Sequence, residues 1–398
     1  KLGLFHSGLS SPRATDAAGA FAQARSALEQ GDLAAALKIV PTRFSRNHIA
    51  ERHHFAFTLA RQDPHLAMAW LMPEETLQAA ALLLHAGMLN SVPAMLDAGS
   101  MPESPDLTAM RSSLAARQGN FVESRRQASK LFARNPHKLA SLDTPIQLSD
   151  LLPSENAAKT VNAGPLVSVI MPAFNAAGTI ATAISSVLKQ TYRHLELILI
   201  DDGSTDRSCE IASHQAAGDT RLRIVRQPQQ GTYAARNRGI AVMRGEFATF
   251  LDADDVMLCD KIEQQLAALQ GSSAVATVSR LIRLDEYGRF MSPRIFPLIR
   301  HNMCSLFIRA TALKELSDFH EVKTGADAEF ENRIQLRYGS GAILRQKQLQ
   351  VVASWREGSL TRASNTGILE LQSRRDRISY RESWARLHAI GDFPRNIK

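Results

Sequence analysis

Leu166-Val167-Ser168-Val169-Ile170-Met171 is a continuous apolar run, as a strand that is buried on both faces of a sheet requires. After it, an apolar stripe recurs at helical spacing through Ile180, Ala183, Ile184, Val187 and Leu188. Further strands are predicted at Leu195–Ile200, Leu222–Val225 and Phe247–Leu251, with a helix at Ala234–Met243 before the last of them. This alternation predicts an α/β fold with a doubly wound, mostly parallel sheet.

Polar clusters follow three of the predicted strands. They are Pro172-Ala173-Phe174-Asn175, Asp201-Asp202-Gly203-Ser204 and Asp252-Ala253-Asp254-Asp255. Ligands of such sheets bind beyond the carboxyl ends of the strands. An isolated Asp-Gly-Ser is usually a turn whose Asp bonds its own backbone. Two acidic clusters at strand ends of one domain instead favour a ligand site.

The second acidic cluster has the chemistry of a divalent-cation site. Asp254 at a strand end can offer a hard oxygen to Mg²⁺ or Mn²⁺, which prefer a few carboxylates together with substrate phosphates. The carboxylates of Asp252, Asp254 and Asp255 repel one another, which a cation relieves. The alternative is a helix start in which Asp255 is a first-turn acid that the helix dipole favours.

These motifs, taken together, resemble family 2 glycosyltransferases with the GT-A fold. The resemblance covers residues 165–362 and rests on 167–175, 200–206, 250–255 and Gly231-Thr232-Tyr233-Ala234-Ala235-Arg236-Asn237-Arg238-Gly239-Ile240-Ala241. It implies an inverting, Mn²⁺- or Mg²⁺-dependent hexosyltransferase. The donor would be a nucleotide-sugar, expected to be UDP-linked, and the acceptor a hydroxyl of a surface polysaccharide or a glycolipid.

The resemblance also implies roles for single residues. The nucleotide would be bound by Pro172, Ala173, Asn175, Asp201, Asp202, Arg236 and Asn237, with Asp202 on the base. Asp252 would reach the ribose or a metal-bound water, and Asp254 would bind the metal beside Asp252 and Asp255. Arg356 and Ser359, after the apolar strand Leu349–Ala353, suit a diphosphate. The alternatives are a surface ion pair for Arg236 and a plain strand-end turn for residues 356–359.

The family further implies a carboxylate that deprotonates the acceptor hydroxyl, in a Glu-Asp pair before a helix. Here the sequence is Gly325-Ala326-Asp327-Ala328-Glu329, so Ala326 replaces the usual Glu. Asp327 stands at the matching position, and Glu329 is the second candidate base. Asp327 also suits the N-cap of a helix predicted at Ala328–Tyr338.

The first part of the chain, residues 1–153, is predicted to be all α-helical. Breaks at Gly31, Gly87 and Gly119 each suit a helix end in the left-handed conformation. The region resembles a tetratricopeptide-type array or, equally, a generic bundle, and it is a candidate site for a protein partner. A linker is predicted at 154–164. Residues 363–398 form a basic helical extension that either packs on the catalytic domain or lies on anionic lipid.

Composition bounds the remaining alternatives. The chain has 398 residues and a formal net charge of +8, so two or three domains are expected. The three cysteines are far apart, which fits a reducing cytoplasm, with peripheral contact at the inner face of the membrane as a further expectation. The sequence contains no recognised nucleic-acid-binding module, and no Gly-x-Gly-x-x-Gly motif of a dehydrogenase follows its first predicted strand. Two competing functions are a sugar nucleotidylyltransferase and a catalytically inactive scaffold with a helical partner-binding region.

Overall fold

A computed structural model describes residues 17–40, 48–97, 101–133, 139, 142–153, 160–215, 217–359, 362–363, 366–367 and 370–391. The predicted linker therefore lies partly outside the described residues. Helices occupy the first part: α1 (Ala17–Glu29), α2 (Leu33–Ile39), α3 (Ile49–Leu59), α4 (Pro64–Met68), α5 (Thr76–Ala86), α6 (Val92–Asp97), α7 (Pro105–Arg117) and α8 (Phe121–Leu131). A 3₁₀ helix at Leu148–Leu151 follows.

The three predicted glycine breaks are confirmed. Gly31, Gly87 and Gly119 have φ of 85°, 76° and 75°, a conformation that costs glycine little. The helices that start after Gly31 and Gly119 are capped by the neighbouring side chains: Asp32 accepts from Ala35 N and Asn120 from Glu123 N. Each break thus folds one helix back along the next. A tetratricopeptide-type repeat stays a prediction.

The second part alternates strands with helices. The strands are β1 (Val167–Ala173), β2 (Leu195–Asp201), β3 (Leu222–Arg226), β4 (Phe247–Phe250), β5 (Val256–Met257), β6 (Ala276–Asp285), β7 (Phe290–Met291), β8 (Arg300–His301), β9 (Phe307–Arg309) and β10 (Ile343–Trp355). The helices are α9 (Ile180–Leu188), α10 (Ser208–Gln215), α11 (Thr232–Val242), α12 (Lys261–Gln270), α13 (Ala310–Leu316), α14 (Ala326–Tyr338) and α15 (Leu371–Ala389), with a 3₁₀ turn at Met303–Ser305.

All ten strands belong to one sheet, with the order β3-β2-β1-β4-β9-β6-β10-β5 and β7 and β8 paired to β6. The long pairings, β3 to β2, β2 to β1, β1 to β4 and β6 to β10, are parallel. The short strands β5, β7, β8 and β9 add antiparallel pairs. This confirms the predicted class, an α/β domain with a mostly parallel sheet preceded by an all-α region.

The helical region and the sheet share a hydrophobic core. Buried side chains from the helices, such as Leu82, Leu107 and Leu114, pack in one cluster with Ile282, Leu284, Phe290 and Val352 of the sheet. Polar contacts reinforce the junction, because the Asp106 carboxylate accepts from the backbone N–H groups of Leu298 (2.7 Å) and Ile299 (3.1 Å). The first region is thus packed against β6, β7 and the segment after them.

Two local structures that the sequence allowed as alternatives are not present at Asp255 and Asp327. Asp255 does not start a helix, since it lies in a turn followed by β5, and its backbone N–H donates to the carbonyl of Asp252. Asp327 is not an N-cap, because α14 begins at Ala326 with left-handed Gly325 as its cap.

The C-terminal helix α15 packs on α14. Trp384 and Ala385 are almost fully buried, and the Tyr380 hydroxyl lies 2.8 Å from His320 Nδ1. The helix therefore presents its apolar residues to the protein, as one of its two predicted arrangements requires. Within the described ranges, no helix combines the length and apolarity needed to cross a bilayer.

Candidate active site

The carboxyl ends of β1 and β2 are tied together by their own polar residues. Asp202 N donates to Ala173 O at 2.8 Å, and Thr205 N donates to Asn175 Oδ1 at 2.9 Å. Asn175 adopts φ of 48°, which Asn tolerates better than most residues. Pro172 and Ala173 are buried as the last residues of β1, while Asn175 is exposed just beyond it. Of the predicted nucleotide-binding residues, Pro172 and Ala173 thus lie at the buried carboxyl end of β1, and Asn175 lies at the surface just beyond it.

Asp202 organises the loop that leads into α11. Its Oδ1 accepts from Gln227 Nε2 and Gln230 N, and its Oδ2 accepts from Gly231 N, each at 2.8 Å. The neighbouring Asp201 accepts from Ser204 N at 3.1 Å and lies 3.6 Å from Arg226 Nε. Both aspartates are 4% exposed. Their first role in this structure is therefore to shape the two loops that border the site.

Arg236 on α11 contacts the acidic cluster directly. Its Nη2 donates to Asp252 Oδ1 at 2.8 Å, and its guanidinium lies over the rings of Tyr233 (5.4 Å) and Phe250 (5.6 Å). Burial disfavours the charged guanidinium, but Asp252, with smaller contributions from Cys304 and Tyr233, holds the pKa of Arg236 above its usual range. Arg236 is thus a buried cation at the site, and its predicted alternative as a surface ion pair does not describe it.

Asn237, the next residue, faces away from the acidic cluster. Its side-chain amide donates to Phe319 O at 2.9 Å, and its Oδ1 accepts from Phe319 N at 2.8 Å. The amide is 9% exposed and pairs with this backbone like a neighbouring strand. Asn237 therefore secures the segment before α14, and its predicted contact with a nucleotide stays a prediction.

Asp254 and Asp255 lie on the other side of the cluster. Asp254 Oδ2 is 3.5 Å from Arg356 Nε, and Asp255 Oδ1 accepts from Ser354 N at 2.8 Å. Burial raises the pKa of both carboxyls, and nearby carboxylates add to the effect: Asp252 for Asp254, and Asp254 with Asp252 for Asp255. A cation bound between these carboxyls would favour their ionised forms and so offset the unfavourable effect of burial and of the neighbouring charges.

The donor set fits a divalent cation held in part by its substrate. In the described part of the chain, no group of three or more His, Cys, Asp or Glu side chains is arranged to hold a metal ion. Mg²⁺ and Mn²⁺ at phosphate sites take one or two carboxylates and complete their shell with phosphate and water. Asp254, 20% exposed, and Asp252, 32% exposed, can supply such a partial shell, whereas Asp255 is nearly covered.

A cleft of about 210 Å³ opens beside Asp254. Thr179, Thr182 and Arg356 line one part of it, and Gln147 and Ser149 of the helical region line another. Ser359, predicted as a phosphate ligand, is instead 7% exposed, and its hydroxyl donates to Arg356 O at 3.0 Å. Gln147 and Ser149 show that the helical region contributes to the wall of this cleft, which the sequence did not indicate.

The two candidate bases differ in their surroundings. Asp327 is half-buried, and its Oδ1 accepts from the Tyr233 hydroxyl at 2.9 Å. Glu329 is fully buried, with Arg333 Nη2 at 2.8 Å and His388 Nε2 at 3.1 Å from its carboxylate. A base must come within hydrogen-bond reach of its substrate. The exposure therefore favours Asp327, and Glu329 has the surroundings of a structural ion pair.

Tyr233 lies in the stretch 231–241 that carries the family resemblance, but the sequence assigned it no role of its own. It lies one helical turn before Arg236, so the two side chains share a face of α11. That spacing is a signal that could have placed it at the site. Tyr233 contacts Asp327 and Arg236 contacts Asp252, so α11 connects two residues that are 75 positions apart in the sequence.

This site can be compared with known proteins. Residues 168–329 match the family model of glycosyl transferase family 2. An uncharacterized glycosyltransferase of Haemophilus influenzae is 45% identical over 114 residues, which cover 28% of this chain and 46% of the relative. Glycosyltransferase GlyG of Streptococcus pneumoniae is 37% identical over 122 residues, 30% of this chain and 40% of the relative.

The matches cover only part of each protein. The chain spans less than half the length of the two curated relatives. Among solved structures, residues 1–349 of Staphylococcus aureus TarS in complex with UDP-GlcNAc align with a TM-score of 0.41 and 22% identity, over 48% of this chain and 59% of that one. The family match contains Asp202, Arg236, Asp252, Asp254 and Asp327, and ends before Arg356.

Proposed function

We propose that this protein is an inverting glycosyltransferase that moves a sugar from a nucleotide-sugar to a hydroxyl of a surface polysaccharide or glycolipid. The observation that supports the proposal is the pairing of Arg236 with Asp252 beside Asp254, on the helix whose Tyr233 contacts the half-buried Asp327. These groups lie inside the segment that matches glycosyl transferase family 2. In this proposal, Asp252, Asp254 and Arg236 form the donor corner that receives the nucleotide-sugar, and Asp327 is a separate base.

In the proposed reaction, Asp327 takes the proton of the acceptor hydroxyl as its oxygen attacks the anomeric carbon. The bond from that carbon to the diphosphate breaks in the same step, and the nucleoside diphosphate leaves with the bonding electrons. Attack from the face opposite the leaving group inverts the anomeric configuration. Glu329, closed off by Arg333 and His388, would keep α14 in place while Asp327 reacts.

The donor corner would hold the nucleotide and its diphosphate. We propose that Asp202 and its loop border the base, expected to be uracil, and that Arg356 contacts the phosphates. Asp254 with Asp252 would hold Mn²⁺ or Mg²⁺, which neutralises charge on the departing diphosphate when bound. The partial exposure of both carboxylates supports this assignment, because a cation can reach them from solvent.

We also propose that the protein works at the cytoplasmic face of a membrane. The apolar residues of α15 are packed inward, so any lipid contact would rely on charge, through exposed side chains such as Arg375, Arg381 and Arg386. A protein partner would have to use the surface of the helical region that the sheet leaves uncovered. Binding to anionic vesicles that salt abolishes would support the membrane contact.

A thermal-shift screen of nucleoside diphosphates and nucleotide-sugars with Mn²⁺ tests the donor site first, since a bound ligand raises the melting temperature. The stabilising donor is then incubated with candidate acceptors, and released nucleoside diphosphate is measured. Asp254→Asn should lose the cation-dependent release. Asp219→Asn is the matched control, because Asp219 pairs with Arg221 away from the site.

Each outcome assigns a different function. Release of nucleoside diphosphate that needs Asp254 supports the proposal. Release of pyrophosphate would indicate a nucleotidylyltransferase, and a lack of any nucleotide binding would favour an inactive scaffold. Unchanged metal-dependent transfer in Asp254→Asn would show that the donor corner has been misassigned.

A further inference from the structure

The Tyr233 hydroxyl lies between the backbone of Gly325, just before α14, and the side chain of Asp327 in the first turn of that helix. It donates to Asp327 Oδ1 at 2.9 Å and accepts from Gly325 N at 3.2 Å. One hydroxyl thus uses its donor on the carboxylate and its acceptor on the backbone two residues earlier. The direction of the bond to Asp327 is set by this arrangement, since the hydroxyl has a single proton to give.

The surroundings of Tyr233 keep that hydroxyl in place. The residue is 7% exposed, and its ring lies 5.9 Å from the ring of Phe319. Burial, and next the Asp327 carboxylate, hold the pKa of Tyr233 well above its usual range. The hydroxyl therefore stays protonated at any pH at which the protein would work, and it remains a hydrogen-bond donor to Asp327.

In the described part of the chain, other groups lie near Asp327 but form no hydrogen bond with it. In addition to burial, the charge of Asp327 affects the pKa of Cys304 in the 3₁₀ turn and of Arg377 and Tyr380 on α15. The Tyr380 hydroxyl is engaged with His320. Tyr233 is thus the group that contacts the Asp327 carboxylate through a hydrogen bond, and it occupies one of the two carboxylate oxygens.

We infer that Tyr233 is a positioning residue that orients Asp327 as the base of the proposed transfer. With Oδ1 held by the tyrosine, Oδ2 is left to receive the proton of the acceptor hydroxyl. The same helix carries Arg236, which holds Asp252 at the donor corner. Helix α11 therefore sets the acceptor side and the donor side relative to each other. This inference rests on the proposed function.

Tyr233→Phe tests it, because Phe fills the same volume without the hydroxyl. We expect kcat to fall about 10- to 100-fold, as for a lost hydrogen bond to a charged group, with the donor KM within about twofold of wild type. A fall in kcat at a nearly unchanged donor KM is the result expected of a displaced base, because the donor site keeps its contacts.

Tyr338→Phe is the matched control. Its hydroxyl donates to the Glu315 carboxylate at 3.0 Å on the exposed end of α14, so the same kind of bond is removed away from the site. A second test adds Tyr233→Phe to Asp327→Asn. A residue that acts through Asp327 should leave the residual rate of that variant unchanged, whereas a purely structural role would lower it further.

The outcomes separate this inference from the proposed function. A Tyr233→Phe variant with a lower kcat, a nearly unchanged donor KM and no added effect in Asp327→Asn supports it. An active wild type together with an equally active Tyr233→Phe, or a further loss of rate when Tyr233→Phe is added to Asp327→Asn, overturns the inference alone. A wild type that transfers no sugar from any donor overturns the proposed function, and this inference with it.

Discussion

Ser113 of the helical region completes the backbone hydrogen bonding of Phe290 in the sheet. The Ser113 hydroxyl accepts from Phe290 N at 2.9 Å and lies 3.2 Å from Phe290 O as donor. Both residues are buried, at 4% and 2% exposure. A side chain from one region thus pairs with β7 as a further strand would, at the point where the two regions share their core.

Removing this hydroxyl should weaken both regions together. Ser113→Ala leaves a buried N–H and a buried C=O without partners, which costs about 1–3 kcal/mol in the free energy of unfolding. Denaturant unfolding followed by circular dichroism should show one transition at a lower midpoint. Ser112→Ala is the control within the helices, since Ser112 bonds Ser124 O. Two separate transitions in the wild type would contradict a shared core.

Asp255→Asn should stabilise the protein at neutral pH in the absence of a cation. Burial and the two neighbouring carboxylates raise the pKa of Asp255, so ionising it costs more in the folded than in the unfolded state. The cost grows as the pH rises above the unfolded value, and the amide removes it. We expect a gain of about 1 kcal/mol or more at pH 7, shrinking toward pH 3. A lower melting temperature at pH 7 would argue against this.

Lys261 should make stability depend on pH in the opposite sense. It is fully buried, its Nζ donates to Thr249 Oγ1 at 2.7 Å, and burial lowers its pKa from 10.5 to about 7. Between these values the unfolded state binds more protons, so stability rises with pH through this window. Lys261→Met should be more stable than wild type below pH 7 by a few kcal/mol, with the gap closing toward pH 10. Melting curves across that range would show whether it closes.

Asp202→Asn should loosen the loop before α11 and weaken nucleotide binding. The carboxylate accepts three hydrogen bonds from that loop, and an amide cannot accept at both positions. We expect the dissociation constant of the nucleoside diphosphate, measured by calorimetry, to rise about tenfold or more. Asp219→Asn serves again as the control. Equal affinity in the two variants would place the nucleotide elsewhere.

The strands of the sheet were predictable where their sequence is apolar throughout. β1 and β2 were found within two residues of their ends, because both are buried on both faces. The predicted strand at Leu349–Ala353 proved to be the end of the longer β10, whose first half is polar, part-exposed and irregular in register. β6 was missed. Arg280 and Arg283 interrupt its pattern, and the helices that cover its face lie far away in sequence.

The residues of the candidate site were expected from the sequence, but their contacts were not. Arg236 pairs with Asp252, and Asp327 is linked to the same helix through Tyr233. That Asn237 clamps Phe319, and that Glu329 is closed off by His388, depends on tertiary packing between segments with no shared motif. The position of Tyr233 beside Asp327 follows from the same long-range packing.

The shared core limits how far the segment that matches glycosyl transferase family 2 could be moved to another protein. The part that matches the family, residues 168–329, includes Ile282, Leu284 and Phe290, whose packing partners come from the helices. If this segment were transferred without residues 17–151, its apolar side chains that pack on the helices would be exposed to water. The cleft would also lose Gln147 and Ser149 from its lining. A chimeric protein would therefore have to include both regions together.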